Sequence, residues 1–191
     1  LREGARSAVQ DVGGVYSIGC HPSMARNIFR LFMGDLLAQY PNLEVTLKHD
    51  VSRRVAEDVI SLRTDMGIVV NPVPHPDLII TPLTQDEVTL WQSADMDKTN
   101  RDVLICDPDL LQTQEIQRKL AKTGLTFRRT LVSSNLEVIA ELTASGCGCG
   151  ILPSKVAARA MSKLTRLPKA PAVTDRHCLI YRAENKNIQS I

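Results

Sequence analysis

The run Met66-Gly67-Ile68-Val69-Val70 narrows the fold more than any other stretch of this chain. It contains no polar residue, so it lacks the alternation of a strand with one wet face. A run this short and apolar reads as a strand buried on both faces, the habit of a parallel sheet covered by helices. The segment 150–152 reads as another brief buried strand, and Val103–Cys106 as a strand opening on the loop Asp107-Pro108-Asp109. Helical patterns lie between these runs. Ser52 is placed to cap a helix with Val55, Val59 and Leu62 on one face, and Thr113 to cap one that ends at Gly124. Ser134 with Glu137 matches a capping box ahead of Leu136, Ile139, Ala140 and Leu142, a helix that stops at Gly146.

Further strands are expected at 15–19, 43–47, 78–81, 88–92, 127–132, 164–167 and 178–182. A long helix is expected over 23–40, ended by Pro41-Asn42, with a short helix-like lead at 1–12 and the start of another helix at 184–191. Strand–helix alternation in two blocks predicts an α/β protein of two Rossmann-like subdomains. The first takes 15–87 together with 170–191, the second 88–169, and 1–14 form a lead. The strand at 178–182 brings the chain back to the first block. Ligands of open α/β sheets bind beyond the carboxyl ends of strands, so a cleft between the two sheets is the expected site.

Composition excludes several classes. A net charge of +2 is too small to indicate nucleic acid by itself, and no apolar run approaches the roughly 18 residues of a membrane span. No charged start with an apolar core marks a signal peptide. Five cysteines at irregular spacings argue against a secreted disulfide framework and for a reducing, cytoplasmic setting. No Ser/His/Asp or Cys/His set and no phosphate loop is visible, so neither an enzyme nor a cofactor site is expected. The chain opens on Leu1 rather than Met, which reads as a piece of a longer protein.

Three stretches, in order, carry a resemblance: "HPSMARNIFRLFMGDLLAQYPNLEVTL" after the first strand, then "LRTDMGIVV", then "ELTASGCGCGILPSKVA". Over nearly all of 15–184 the chain resembles the effector-binding domain of LysR-type transcriptional regulators. The resemblance implies a fold like that of type 2 periplasmic binding proteins, with a small-molecule effector in the cleft. It implies a homodimer or higher oligomer in which the long helix meets the second subdomain of a twin chain. It also implies a winged helix-turn-helix ahead of Leu1, joined by a linker helix ending within 1–14. DNA would be reached only through that part, and no membrane partner is implied. The rival is a transport-type solute-binding protein of the same fold, which the odd cysteine count disfavours.

Effectors of this family usually touch four places. They correspond here to Cys20, His21 and Ser23; to Val51 and Ser52; to Val70 and Asn71; and to Gln112 and Thr113. Val51 and Val70 stand where some members use threonine, which weighs against an inorganic anion such as sulfate. Helix starts converging on one cleft favour an anionic ligand, with a small carboxylate the first choice. Arg53 and Arg54 add charge nearby, although such a pair at a helix start is more often solvated. His21 has two open roles, hydrogen-bonding an effector or capping the long helix.

Cys147-Gly148-Cys149 invites a metal or redox reading. Zinc needs four ligands, usually from two close pairs, and no second pair is present, so no metal is expected and the cysteines are read as small packing groups. Some family members sense oxidants through a cysteine pair in the second subdomain; Cys106 falls near that region without a close sequence partner. The long helix carries two apolar stripes, Met24-Ile28-Leu31 and Phe29-Phe32-Met33-Leu36. One is expected to cover the sheet and the other to meet a partner.

Overall fold

The computed structural model describes residues 13–96 and 98–184. The leading helix expected at 1–12 and nearly all of the closing one at 184–191 lie outside these residues. Two compact units divide the chain. One comprises residues up to Thr84 together with those from Arg176; the other is Gln85–Asp175.

In the first unit the strands are β1 (Gly14–Cys20), β2 (Leu43–His49), β3 (Met66–Val70) and the second half of β9 (Val173–Arg182), in the order β2-β1-β3-β9. β1 runs parallel to both β2 and β3, and β9 pairs antiparallel with β3 from Met66↔Tyr181 to Val70↔His177. β3 is buried on both faces, as its apolar run requires. Ile68 packs with Ile18, Cys20, Met24 and Phe29, while Val69 packs with Val55, Val59, Leu78 and Ile180. Each such side chain, fully buried, contributes about 1.5–3 kcal/mol of transfer free energy.

The long helix of the sequence reading is broken. It consists of α1 (Pro22–Ile28), a 3₁₀ turn at Phe29–Leu31, and α2 (Met33–Gln39), with Phe32 out of helical geometry at φ −143° and ψ −17°. A 3₁₀ turn eclipses residues three apart. Phe29 and Phe32 accordingly meet edge to face, ring centres 5.9 Å apart. The break re-sorts the two stripes: Met24 and Phe29 enter the core, whereas Leu31 and Phe32 are exposed.

α3 (Ser52–Ile60) packs Val55 and Val59 inward. Ser52 does not cap it; Val51 holds that position without a side-chain bond. At its far end the Arg63 N–H donates to the Asp58 carbonyl and the Leu62 N–H to that of Val59. This is the Schellman pattern, normally closed by glycine. Here Leu62 fills the left-handed position at φ 60°.

The second unit orders its strands β4-β7-β5-β6: β4 (Leu78–Ser93), β7 (Cys149–Pro153), β5 (Val103–Cys106) and β6 (Arg129–Val132), with β8 (Leu164–Arg166) also on β4. β5 is parallel to β6 and β7, and β4 is antiparallel to β7. β4 is continuous where two strands were expected. Pro82 sits mid-strand among exposed residues, where its missing N–H costs the ladder little. β4 and β9 each carry the chain from one unit into the other. Trp91 donates its indole N–H to the Leu152 carbonyl on β7 at 3.0 Å.

α4 (Leu111–Leu120) starts earlier than expected, so Thr113 lies inside its first turn rather than at its cap. α5 (Leu136–Ala144) is capped by Asn135, one residue past the expected Ser134; the Asn135 Oδ1 accepts from the Glu137 and Val138 N–H groups at 2.9 and 3.1 Å. α6 (Ser154–Ala157) is a single turn.

Candidate functional site

In the first unit the parallel strands β1 and β3 are neighbours, so their carboxyl ends lie side by side. β1 ends at Cys20, whose side chain turns into the core and is fully buried. Burial pushes its thiol up to about 11, so it is a protonated packing group at neutral pH. His21 follows in extended geometry and caps α1. Its Nδ1 accepts from the Ser23 N–H at 3.4 Å and lies 2.6 Å from the Ser23 Oγ. An accepting Nδ1 places the proton of the neutral ring on Nε2. Capping is therefore an observed role of His21, and Ser23, buried beside it, shares that pair.

Val51 precedes α3 and gives its N–H to the Asp50 carboxylate at 2.7 Å. The Ser52 hydroxyl accepts the Val70 N–H at 2.9 Å, tying the start of α3 to the end of β3. Asn71 follows at φ 46°. Its N–H donates to the Arg176 carbonyl and its Oδ1 accepts the Arg176 N–H, both at 2.9 Å, which extends the β3–β9 ladder by one clasp. Ser52, Val70 and Asn71 are thus brought together, as are His21 and Ser23. Arg53 and Arg54 are exposed and make long pairs, 4.0 Å to Glu57 and 3.9 Å to Asp50. The sequence reading assigned no task to Asp65. Its Oδ2 accepts from both the N–H and the hydroxyl of Ser17 at 2.7 Å, locking the entry of β3 onto β1.

In the second unit Gln112 and Thr113 sit on the first turn of α4, partly and fully buried respectively. Leu110 occupies the cap position without a side-chain bond, so the first amides of this helix have no side-chain acceptor there. β5 ends at buried Cys106, whose Sγ receives the Gln117 Nε2 at 3.8 Å. Its thiol is pushed up by burial and then by the charge of Asp107. Asp107 is itself buried, and its Oδ1 accepts the Asp109 N–H at 3.0 Å. The sequence reading passed over this residue; its signal was a charged residue directly after a four-residue apolar strand.

The cysteine–glycine run resolves into two faces. The Cys149 side chain joins the core with Ile116, Leu120 and Ile151. The glycines face the other way. A Cβ on Gly148 would lie 2.7 Å from the Val103 carbonyl oxygen, and one on Gly150 would lie 2.2 Å from Thr143 Oγ1. Gly146, at φ 80°, closes α5 in the Schellman pattern that Leu62 closes for α3. Cys147 is only partly buried, unlike its neighbour, and its Sγ lies 3.4 Å from Ser145 Oγ. All five cysteines are free thiols. Among the described residues, no group of three or more His, Cys, Asp or Glu side chains is arranged to hold a metal ion, and no helix is long and apolar enough to cross a membrane.

Comparison with known proteins bears on this arrangement. The sequence model of the LysR substrate binding domain matches residues 10–189. The cofactor-binding domain of the Cbl transcriptional regulator superposes with a TM-score of 0.73 at 18% identity, over 91% of this chain and 82% of that one. The C-terminal domain of a probable LysR family regulator from Rhodococcus sp. RHA1 gives 0.71 at 16%, covering 94% and 95%. The reduced OxyR regulatory domain from Pseudomonas aeruginosa gives 0.69 at 19%, covering 90% of each. At these identities the structures establish the fold, that of type 2 periplasmic binding proteins, and the matched family establishes the class. Its members are domains of transcriptional regulators, not enzymes. The chain belongs to the family of LysR substrate-binding domains, the effector-binding parts of LysR-type regulators.

Proposed function

We propose that this domain senses a small anionic metabolite, a carboxylate in the first instance, and works as a homodimer. The observation that carries the first part is α3. It begins at the carboxyl ends of β1 and β3 with no side-chain cap at Val51. Its first amides and its positive dipole end favour an anion. His21, Ser23, Val51, Ser52, Val70 and Asn71 surround that strand end; Cys20 supports it from the core. Gln112 and Thr113 lie in the first turn of another helix, α4, in the second unit. Effector binding favours one conformation of the regulator over another, and DNA is reached through a preceding helix-turn-helix, in the cytoplasm.

Dimerisation is supported by apolar surface. Leu31 is 67% exposed, and Phe32, Leu37, Val15 and Leu47 are exposed in the same unit. In the second unit Val132 on the edge strand β6 and Val138 on α5 are exposed as well. A second copy of the chain is the occupant we assign to both surfaces.

Screening malonate, succinate and glutarate by thermal shift, then titrating Ser23→Ala and Ser52→Ala calorimetrically, tests the ligand. A carboxylate that binds equally to wild type and both variants removes these residues from the site. Sedimentation velocity tests the dimer: Leu31→Glu yields a folded monomer, while Phe29→Glu, 5% exposed, unfolds the chain. A wild-type chain that stays monomeric at high micromolar concentration refutes it.

A further inference from the structure

Asp107 stands directly beyond the carboxyl end of β5, where open α/β sheets meet their ligands. It is only 3% exposed, and its Oδ1 is used by the turn at Asp109. Among the described residues its Oδ2 takes no hydrogen bond and no Lys, Arg or His side chain pairs with it. A buried carboxylate without a counter-charge is unfavourable unless a cation or several donors reach it. Thr113 repeats the pattern three residues beyond the cap of Leu110. It is 1% exposed, and its hydroxyl also has no partner among the described residues. Neither group is sealed in: the fully enclosed unpartnered atoms include Asn27 Oδ1 and Thr64 Oγ1, but no atom of Asp107 or Thr113. Gln114 Nε2 donates to the Pro108 carbonyl at 2.9 Å, tying the intervening loop to α4. A turn at Asp109 needs one oxygen acceptor and no charge, so turn geometry accounts for Oδ1 and leaves the charge and Oδ2 unexplained.

We infer that Asp107, with Thr113 in the first turn of the helix that follows it, is a subsite for a positively charged amine of the effector. The inference rests on the effector-sensing reading above and refines its substrate class: the metabolite carries an ammonium group. Asp107 supplies the counter-charge through Oδ2, and the Thr113 hydroxyl accepts a second N–H. The α4 amides do not suit a cation, so Asp107 is what separates an amine from a plain dicarboxylate at this strand end.

Asp107→Asn is the discriminating variant, because its amide oxygen still accepts the Asp109 N–H while the charge is gone. Putrescine, agmatine and ethanolamine serve as probes; they contain no carboxylate and so do not depend on the α3 site. At least one is expected to raise the melting temperature of the wild-type chain at millimolar concentration and to bind Asp107→Asn at least tenfold more weakly. Ser52→Ala should bind the same amine unchanged. The unliganded Asp107→Asn chain should melt no lower than wild type, because an uncompensated charge has been removed. Three results overturn the inference: no amine stabilises the wild type, amine affinity survives Asp107→Asn, or Asp107→Asn melts several degrees lower without ligand. If carboxylates bind through Ser52 while the amines fail, this inference falls alone. If both fail, the sensing reading falls with it.

Discussion

Replacing Gly150 with alanine sets a methyl group closer to a neighbour than at any other described glycine. The new Cβ would stand 2.2 Å from Thr143 Oγ1 and 3.3 Å from both Thr143 Cβ and Ile139 Cγ2. Thr143 is fully buried, and its hydroxyl is committed to the Ile139 carbonyl at 2.7 Å, so it has nowhere to turn. α5 must move off β7 by about 1 Å, an overpacking that costs about 1–3 kcal/mol. Thr143→Ala alone loses a buried methyl and a local hydrogen bond, about 1–2 kcal/mol. In the double variant the clashing oxygen is gone, and the 3.3 Å contacts that remain need a shift of only a few tenths of an ångström. Its cost should therefore fall short of the summed single costs by at least about 1 kcal/mol. Urea unfolding followed by Trp91 fluorescence reads all four proteins, because that indole is bonded to β7 itself. Additive losses, or a Gly150→Ala protein as stable as wild type, refute the claim that Thr143 is why position 150 is glycine.

Other substitutions probe the same packing. Thr64→Val should raise stability by about 1 kcal/mol in urea melts, since the Thr64 hydroxyl is sealed in without a partner. Leu62→Gly should stabilise by about 1 kcal/mol by relieving a left-handed leucine that packs little. Native thiol labelling should modify Cys147 first and leave Cys20, Cys106, Cys149 and Cys178 to react on unfolding. Cys20 titrates at about 11 when folded against an ordinary 9.0, so its thiol contribution is complete below pH 9. Between about 9 and 11 the unfolded chain releases a proton that the folded chain keeps, and stability falls as pH rises; Cys20→Ala should flatten that decline.

The strands were legible because burial writes itself into composition. Met66–Val70 and Val103–Cys106 have the bounds their apolar runs predict. Boundaries set by partners distant in sequence were not legible. Nothing in "NIFRLFM" announces the 3₁₀ turn, across which buried Phe29 meets Phe32 edge to face. Ser52 looks like a cap until Val70, 18 residues later, supplies the N–H that takes its hydroxyl. The candidate site was legible as an order of segments, since helix starts after apolar strands mark strand ends. Its hydrogen bonds were not: His21 pairs with Ser23, and Asn71 clasps Arg176 across 105 positions. Asp107 escaped notice because Asp-Pro-Asp reads as an ordinary turn, and only its burial distinguishes it.

The distribution of ring side chains gives this protein a built-in pair of optical labels. Its single tryptophan, Trp91, lies in the second unit, while all three tyrosines, Tyr16, Tyr40 and Tyr181, lie in the first. Red-edge excitation, absorbed by indole alone, therefore watches one unit, and tyrosine absorbance watches the other. Coincident transitions would mean that the two strands shared by the units make them one cooperative body, and separate transitions that each unit stands alone. A ligand's effect on each half can then be read without attaching any probe.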